Sequence, residues 1–326
     1  MKKILLILII AIIISILVWW DIKSDNPTKD NNNNLTIAAS IYPLAYFANE
    51  VAGNLPTIHG GLATVQVVTP NGVDPHGYEP SPKDISSIYE ADLFILNGAG
   101  QTPWAEEMID ELRDRSVVVL NMATYAENIW FEDRDISATG NEEDEHTEAN
   151  GNLNPHFWLD LELAQLQVEL IKDRLSELDP ENSDQYNNNA NRFITVLQAL
   201  DERYKVKLST CANRNIIVSH KAFAYPAERY GINVISIAGI SPVQEPTPQR
   251  MAELINITKE KNINYIFFET LSSPALSETI ANETGAQTLV LNTIGGLTQD
   301  DWVRGVDYIS LMEENLQNLM IAMDCQ

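Results

Sequence analysis

The chain has few cysteines and few basic residues. Its 326 residues include two cysteines, Cys211 and Cys325, and the absence of a CxxC pair excludes a thiolate zinc finger or a dithiol redox motif. Lys and Arg number 21 against 46 Asp and Glu, so a formal net charge of −25 argues against nucleic-acid binding. The H-E-x-x-H, G-x-S-x-G and glycine-rich phosphate-loop signatures of common hydrolases and nucleotide-binding enzymes are also missing.

The amino terminus carries the longest hydrophobic run. Lys2 and Lys3 precede Ile4–Trp20, which only Ser15 interrupts. The run is close to the lower limit of about 17 residues for a membrane-spanning helix. Because no small-x-small cleavage site follows, we interpret residues 1–20 as an uncleaved signal anchor, with a cleaved signal peptide as the alternative.

The anchor predicts that the remaining chain is extracytoplasmic, in the periplasm or at the cell surface. Residues 21–34 lack a continuing apolar pattern and are predicted to be a flexible tether. The acidic segment 132–152, which contains His146, is typical of a solvated loop. The alternative is a flap that gathers metal ions, since carboxylates with an imidazole bind divalent ions loosely.

From residue 35 onward, short apolar runs alternate with amphipathic stretches, which predicts an α/β fold with mainly parallel sheets. The predicted strands are Thr36–Ala39, Val65–Val68, Leu93–Leu96, Val117–Leu120, Asn215–Val218, Val234–Ile237, Tyr265–Phe268 and Thr288–Leu291. The predicted helices are Tyr42–Ala52, Ser81–Glu90, Trp104–Leu112, Asp160–Leu178, Ser183–Leu208, Phe223–Tyr230 and Thr247–Asn262. We therefore expect two similar lobes, residues 35–180 and 210–326, joined by a long rigid helix within residues 181–209.

Three of the five histidines occupy comparable positions. His76 lies in a proline-stiffened loop after a strand, His156 follows an Asn-Pro pair, and His220 follows a strand directly. Loops at the carboxyl edge of a parallel sheet commonly bind ligands. Neutral imidazole is the commonest metal ligand, and three of them suit zinc, although any one histidine could be purely structural.

Four ordered motifs carry a family resemblance: DPHGYEPS at 74–81, NPHFWLD at 154–160, SHKAFAY at 219–225 and FFETLSSP at 267–274. Together they resemble the zinc- and manganese-binding solute receptors of bacterial ABC metal importers. The resemblance implies two α/β lobes with a metal site in the cleft between them, and His76, His156 and His220 as its ligands. It implies Zn²⁺ as the cargo, with Mn²⁺ as the alternative, because manganese receptors carry a carboxylate at the third position.

The sequence departs from the zinc-type pattern at one position. Zinc-type relatives often have a Glu in the loop after the last strand, where this chain has Gly295. The fourth ligand could then be water, Asn292 or a carboxylate of the acidic segment. Three imidazoles with a zinc-bound water would also suit a hydrolase, for which Glu269 is the candidate general base.

We therefore interpret the chain as a non-enzymatic, monomeric zinc receptor that delivers the ion to an ABC permease. The alternatives are a three-histidine zinc hydrolase, a manganese or iron receptor, and a metal-binding adhesin. Zinc binding is expected to weaken as the pH falls toward about 6, because imidazole must be neutral to bind the ion. In an exported protein, Cys211 and Cys325 either form a disulfide or remain two free thiols.

Overall fold

The structure, a computed structural model, describes residues 35–54, 61–125, 153–242 and 245–326. The predicted anchor, tether and acidic segment, with His146, lie outside these residues. Within the described ranges, no helix combines the length and the apolar character needed to cross a membrane.

In the described residues, eight strands form two four-stranded, all-parallel sheets. The strands are β1 Leu35–Ala39, β2 Ala63–Val67, β3 Leu93–Leu96, β4 Val118–Asn121, β5 Asn215–Val218, β6 Asn233–Ser236, β7 Tyr265–Phe268 and β8 Gln287–Val290. The first sheet has the order β2-β1-β3-β4 and the second β6-β5-β7-β8, so both lobes share one topology. The predicted pair of parallel α/β lobes is confirmed.

Helices flank both sheets. In chain order they are α1 Tyr42–Ala52, α2 Pro82–Tyr89, α3 Pro103–Glu107, α4 Ile109–Asp114, α5 Leu161–Leu178, α6 Ser183–Leu208, α7 Ala224–Tyr230, α8 Pro248–Glu260, α9 Ala275–Thr284, α10 Gln299–Arg304 and α11 Tyr308–Ala322. Instead of the single helix predicted over 104–112, the chain forms α3 and α4, which meet at Met108. Helices α9, α10 and α11 were not predicted.

The long helix α6 is packed against the first lobe. Its Phe193 lies edge-on to Tyr46 of α1 at 5.7 Å between ring centroids. Its Asn189 donates a hydrogen bond at 3.0 Å to the carbonyl of Val51, which also lies in α1. Further along, Tyr204 donates to the Met312 carbonyl of α11. The helix is therefore braced along its length, as the predicted rigid connector requires.

The carboxyl-terminal part of the second lobe also contacts the first lobe. The Tyr308 ring packs against Phe47 at 4.9 Å between centroids, and its hydroxyl donates to the Trp158 carbonyl. Backbone amides of Tyr42 and Gly72 donate to carbonyls of the loop at 295–297. These contacts, with the buried rings they enclose, restrict independent movement of the two lobes.

Cys211 and Cys325 are joined by a disulfide, which settles the alternative that the sequence left open. The bond connects the chain just before β5 to the end of the chain after α11. It therefore lies toward the amino-terminal edge of the second sheet, opposite the edge from which the His220 loop projects.

Candidate metal centre

His76 is held on a short, rigid turn after β2. The residues Pro75–Gly77 form one turn of 3₁₀ helix, and the Asp74 carboxylate accepts a hydrogen bond from the His76 amide at 2.9 Å. The following helix α2 begins with a capping box in which Ser81 and Asp84 exchange hydrogen bonds. Proline and the two capped turns thus orient an imidazole that is only partly buried.

His156 lies in the first lobe, in the segment that leads into α5, and is 1% exposed. Its Nδ1 is 2.8 Å from the Asn154 carboxamide oxygen, whose own amide nitrogen donates to the Lys221 carbonyl at 2.7 Å. That second bond identifies the atom facing the ring as the oxygen, so His156 Nδ1 carries the hydrogen. In the neutral ring, Nε2 is therefore left with a free lone pair.

His220 follows β5 directly and is also 1% exposed. Its Nδ1 lies 2.6 Å from a carboxylate oxygen of Glu269, which follows β7, the neighbouring strand. A carboxylate accepts hydrogen bonds, so Nδ1 is again the protonated nitrogen and Nε2 is bare in the neutral ring. Glu269 thereby orients His220, a role that differs from the general base considered from sequence.

The three Nε2 atoms point toward one another. The His156 Nε2 lies 3.1 Å from the Nε2 atoms of His76 and His220, and all three donor atoms lie within 4.8 Å of each other. Two nitrogens bound at a tetrahedral angle to one zinc ion would be about 3.4 Å apart, given a Zn–N distance of about 2.1 Å. The observed spacing is close to that value.

The hydrogen-bonding pattern makes this cluster unfavourable without a cation. Both His156 and His220 direct bare lone pairs into the same small volume, because their Nδ1 hydrogens are already donated elsewhere. Burial lowers the pKa of His76 to about 4, helped by the neighbouring His220 and opposed by Asp74. Burial also lowers the pKa of His156 well below its usual value, and the neighbouring His220 and His76 imidazoles lower it further. A metal ion can satisfy all three lone pairs, whereas protons are disfavoured.

The cleft around the imidazoles is narrow and mixed in polarity. Its wall comprises Asp74, Pro75, His76, Gln101, His156, Trp158, His220, Leu271, Thr293 and Gly295. Among the described residues, no Asp or Glu joins the three-imidazole group at metal-binding distances. Asn292 is also directed away, since its carboxamide oxygen accepts a hydrogen bond from the Ile294 amide at 2.8 Å.

Gly295 lies beside the site, as the family pattern predicted for the position that carries a Glu in many zinc-type relatives. A Cβ atom at Gly295 would lie 3.1 Å from the Pro75 ring and 3.8 Å from the Trp158 ring. The loop therefore approaches the first lobe closely, and no side chain extends from it toward the imidazoles.

The segment that carries His156, in the first lobe, is hydrogen-bonded to the second lobe. The Trp158 indole donates to the Thr293 carbonyl at 2.7 Å, and the Tyr225 hydroxyl donates to the Asn154 carbonyl at 2.7 Å. The Arg229 guanidinium binds the buried Asp160 carboxylate through two nitrogens, at 2.6 and 2.8 Å. Burial raises the pKa of Asp160, while Arg229 acts in the opposite direction. Such bidentate pairs fix geometry, so the two halves of the site are held in a defined relation.

These features define a two-lobed α/β protein with a candidate cation site between its sheets. The chain belongs to the family described as zinc-uptake complex component A, periplasmic, whose model matches residues 37–322. Both the two-lobed α/β fold and the family resemblance that the sequence suggested are thereby confirmed.

Individual relatives agree with the family. The chain is similar to the high-affinity zinc uptake system protein ZnuA of Bacillus subtilis, with 31% identity over 88% of this chain and 87% of that protein. It is 33% identical to the zinc-binding lipoprotein AdcA of Streptococcus pneumoniae, over 91% of this chain but 57% of the longer relative. The solved Zn(II)-bound ZnuA-like domain of that AdcA matches with 33% identity and a TM-score of 0.72, covering 90% of this chain and all of the domain.

Proposed function

We propose that this chain is an extracytoplasmic receptor that binds Zn²⁺ through His76, His156 and His220 and delivers it to an ABC permease. The convergence of three imidazole Nε2 atoms, two of them bare, at about the spacing of a tetrahedral zinc site carries the proposal. The zinc-bound relatives and the zinc-uptake family support the choice of cargo.

The donor set favours zinc over manganese. Nitrogen ligands suit zinc, whereas manganese prefers carboxylate and carbonyl oxygens. The described residues bring three imidazoles together and add no carboxylate to the group. We therefore infer that the protein selects zinc when both ions are offered at equal concentration.

His76 lies on the side from which the ion reaches the cleft. It is the partly exposed member of the trio, whereas His156 and His220 are almost fully buried. The His76 turn is closed by its own hydrogen bond to Asp74, and the His156 segment is held to the second lobe by the Trp158–Thr293 and Tyr225–Asn154 hydrogen bonds. We infer that the ion enters and leaves past the exposed edge of the His76 ring, without a wide opening of the lobes.

The proposal places the chain outside the cytoplasmic membrane as a monomer, held by an uncleaved segment at residues 1–20 with residues 21–34 as a tether. The disulfide supports the location, since such bonds persist in oxidising compartments. The role is binding rather than catalysis, because the carboxylate of Glu269 is engaged by His220 and is not free to act as a base.

Zinc titration of the purified full chain by calorimetry, in competition with a chelator, tests the proposal. Wild-type protein is expected to bind one zinc ion. The His156→Ala variant is expected to lose affinity by orders of magnitude, since it removes the central nitrogen of the trio. Unchanged binding in His156→Ala and His220→Ala, with melting curves that show folded protein, would refute the assignment. Asn191→Ala, on the exposed face of α6, serves as the control.

A further inference from the structure

Gln101 is a buried residue at the cleft, and its side-chain oxygen is an unpaired hydrogen-bond acceptor in the described part of the chain. It is 1% exposed. The residue lines the same cleft as the three imidazoles. Leaving a buried acceptor unpaired costs about 1–3 kcal/mol, so such atoms in native proteins usually have a partner such as water or an ion.

The backbone that carries Gln101 is specialised. Gly98, Ala99 and Gly100 all have positive φ, at 76°, 54° and 72°. A side chain at Gly98 would collide with Asn121, because its Cβ would lie 2.2 Å from that carboxamide oxygen. Ala99 adopts a left-handed conformation that is unfavourable for residues other than glycine. Strained turns of this kind are found preferentially at functional sites.

The turn is also attached to the metal-site segment. Asn97 precedes the turn, and its side-chain carboxamide nitrogen donates a hydrogen bond at 2.7 Å to the carbonyl of Pro155, the residue before His156. The Gln101 amide donates to the Gly98 carbonyl at 3.2 Å and closes the turn. Side-chain oxygens of Asn97 and Thr102 also lack partners in the described residues, but of these three residues only Gln101 lines the cleft.

We propose that the Gln101 carboxamide oxygen accepts a hydrogen bond from a water molecule that fills the fourth coordination position of the bound ion. The inference rests on the proposed zinc site. Three imidazoles leave one tetrahedral position open, and Gly295 offers no side chain there. A water molecule bound to zinc is a strong hydrogen-bond donor. A neutral amide oxygen is better suited to accept that hydrogen bond than to bind the zinc ion directly. Gln101 thus acts as a positioning residue.

The glutamine has a matched control within the same protein. Gln167, on α5, is 3% exposed, and its side-chain oxygen and nitrogen also lack partners in the described residues, but it does not line the cleft. Replacing either glutamine with methionine keeps similar length and removes an unpaired polar group. Both variants should therefore be as stable as the wild type, or more stable, in the absence of metal.

The two variants should differ in their response to zinc. Gln101→Met is expected to weaken zinc affinity about tenfold, the usual effect of losing a residue that supports a metal ligand, and to shift the visible absorption bands of the Co²⁺-loaded protein. Gln167→Met should leave both unchanged. Gln101→Glu, which retains an acceptor oxygen, should bind zinc at least as tightly as the wild type.

Zinc affinity within twofold of wild type in Gln101→Met would overturn the inference, as would equal losses in Gln101→Met and Gln167→Met. If Gln101→Met does not fold, weaker zinc binding by a folded Gln101→Glu variant would overturn it. Failure of the wild-type protein to bind zinc would instead refute the proposed function, so the two failures are distinguishable.

Discussion

Replacement of Glu269 tests how the protein tunes its imidazoles. The residue is 5% exposed, and its carboxylate lies 2.6 Å from the His220 Nδ1. The negative charge of Glu269 makes the His220 Nε2 a stronger electron-pair donor to a metal ion, and the hydrogen bond to Nδ1 holds the ring in one tautomer. Glu269→Gln keeps an acceptor oxygen but removes the charge, whereas Glu269→Ala removes both.

The two variants are expected to form a graded series. Residues behind a metal ligand contribute about 10- to 100-fold to metal affinity. We expect Glu269→Gln to bind zinc about tenfold more weakly, which corresponds to about 1.4 kcal/mol. Glu269→Ala should lose about 100-fold, or about 2.7 kcal/mol, because the buried Nδ1–H is then left without an acceptor and the ring can rotate.

Competition titration against a zinc chelator measures both affinities, and circular dichroism shows whether the variants are folded. Glu314→Gln makes the same charge change on the exposed side of α11 and should bind zinc as the wild type does. If both Glu269 variants bound zinc within twofold of wild type, the carboxylate would have no part in tuning His220. Equal losses in Glu269→Gln and Glu314→Gln would attribute the effect to net charge.

Two further predictions concern pH and the disulfide. Because burial lowers the pKa of His76 to about 4, protons compete with zinc less than the sequence suggested, and affinity should be retained from pH 7 to about 5 and fall below that. The unfolding free energy of the metal-free protein should nevertheless decline from about pH 6.5 downward, since the unfolded chain binds a proton at a histidine whose pKa is lowered in the folded protein. Chelator titrations measure the zinc affinity and urea melts measure the stability, each at several pH values. Loss of zinc affinity already at pH 6 would contradict the low pKa of His76. The double variant Cys211→Ser, Cys325→Ser should lose about 3–5 kcal/mol of unfolding free energy, measured in urea, because the disulfide closes a loop with a sequence separation of 114 residues. Its zinc affinity should be unchanged. If the variant were as stable as the wild type, the bond would not constrain the unfolded chain.

Much of the fold follows from local sequence patterns. Strands β3, β5 and β7 and helix α6 have the predicted bounds, because each is a compact apolar run or a long amphipathic stretch between clear breaks. The other strands differ from prediction by one or two residues, where pairing with a neighbour sets the end.

The unpredicted helices had signals of their own. Helix α10 begins with a capping box formed by Thr298 and Asp301, and α11 is preceded by the N-cap residue Asp307, whose side chain accepts a hydrogen bond from the Ser310 amide. Along α11, Leu311, Met312, Leu316 and Leu319 are buried at helical spacing. The break between α3 and α4 has no comparable signal in the sequence, since Met108 is a good helix former.

The site was only partly accessible from the sequence. Three histidines could be selected because each stands near a strand end or an Asn-Pro pair, and the structure brings them together. The bond between Glu269 and His220 joins residues 49 positions apart, so it depends on how β5 and β7 pair in the sheet. Gln101 carried no motif, and its proposed role rests on a buried oxygen that has no hydrogen-bond partner among the described residues, which only the tertiary structure reveals.

A diffraction map of zinc-loaded crystals, calculated from anomalous differences on either side of the zinc absorption edge, tests the central claim most directly. The account predicts one strong peak about 2.1 Å from the Nε2 atoms of His76, His156 and His220. A zinc peak elsewhere in the protein, or none at the three imidazoles in crystals of zinc-saturated protein, would contradict it.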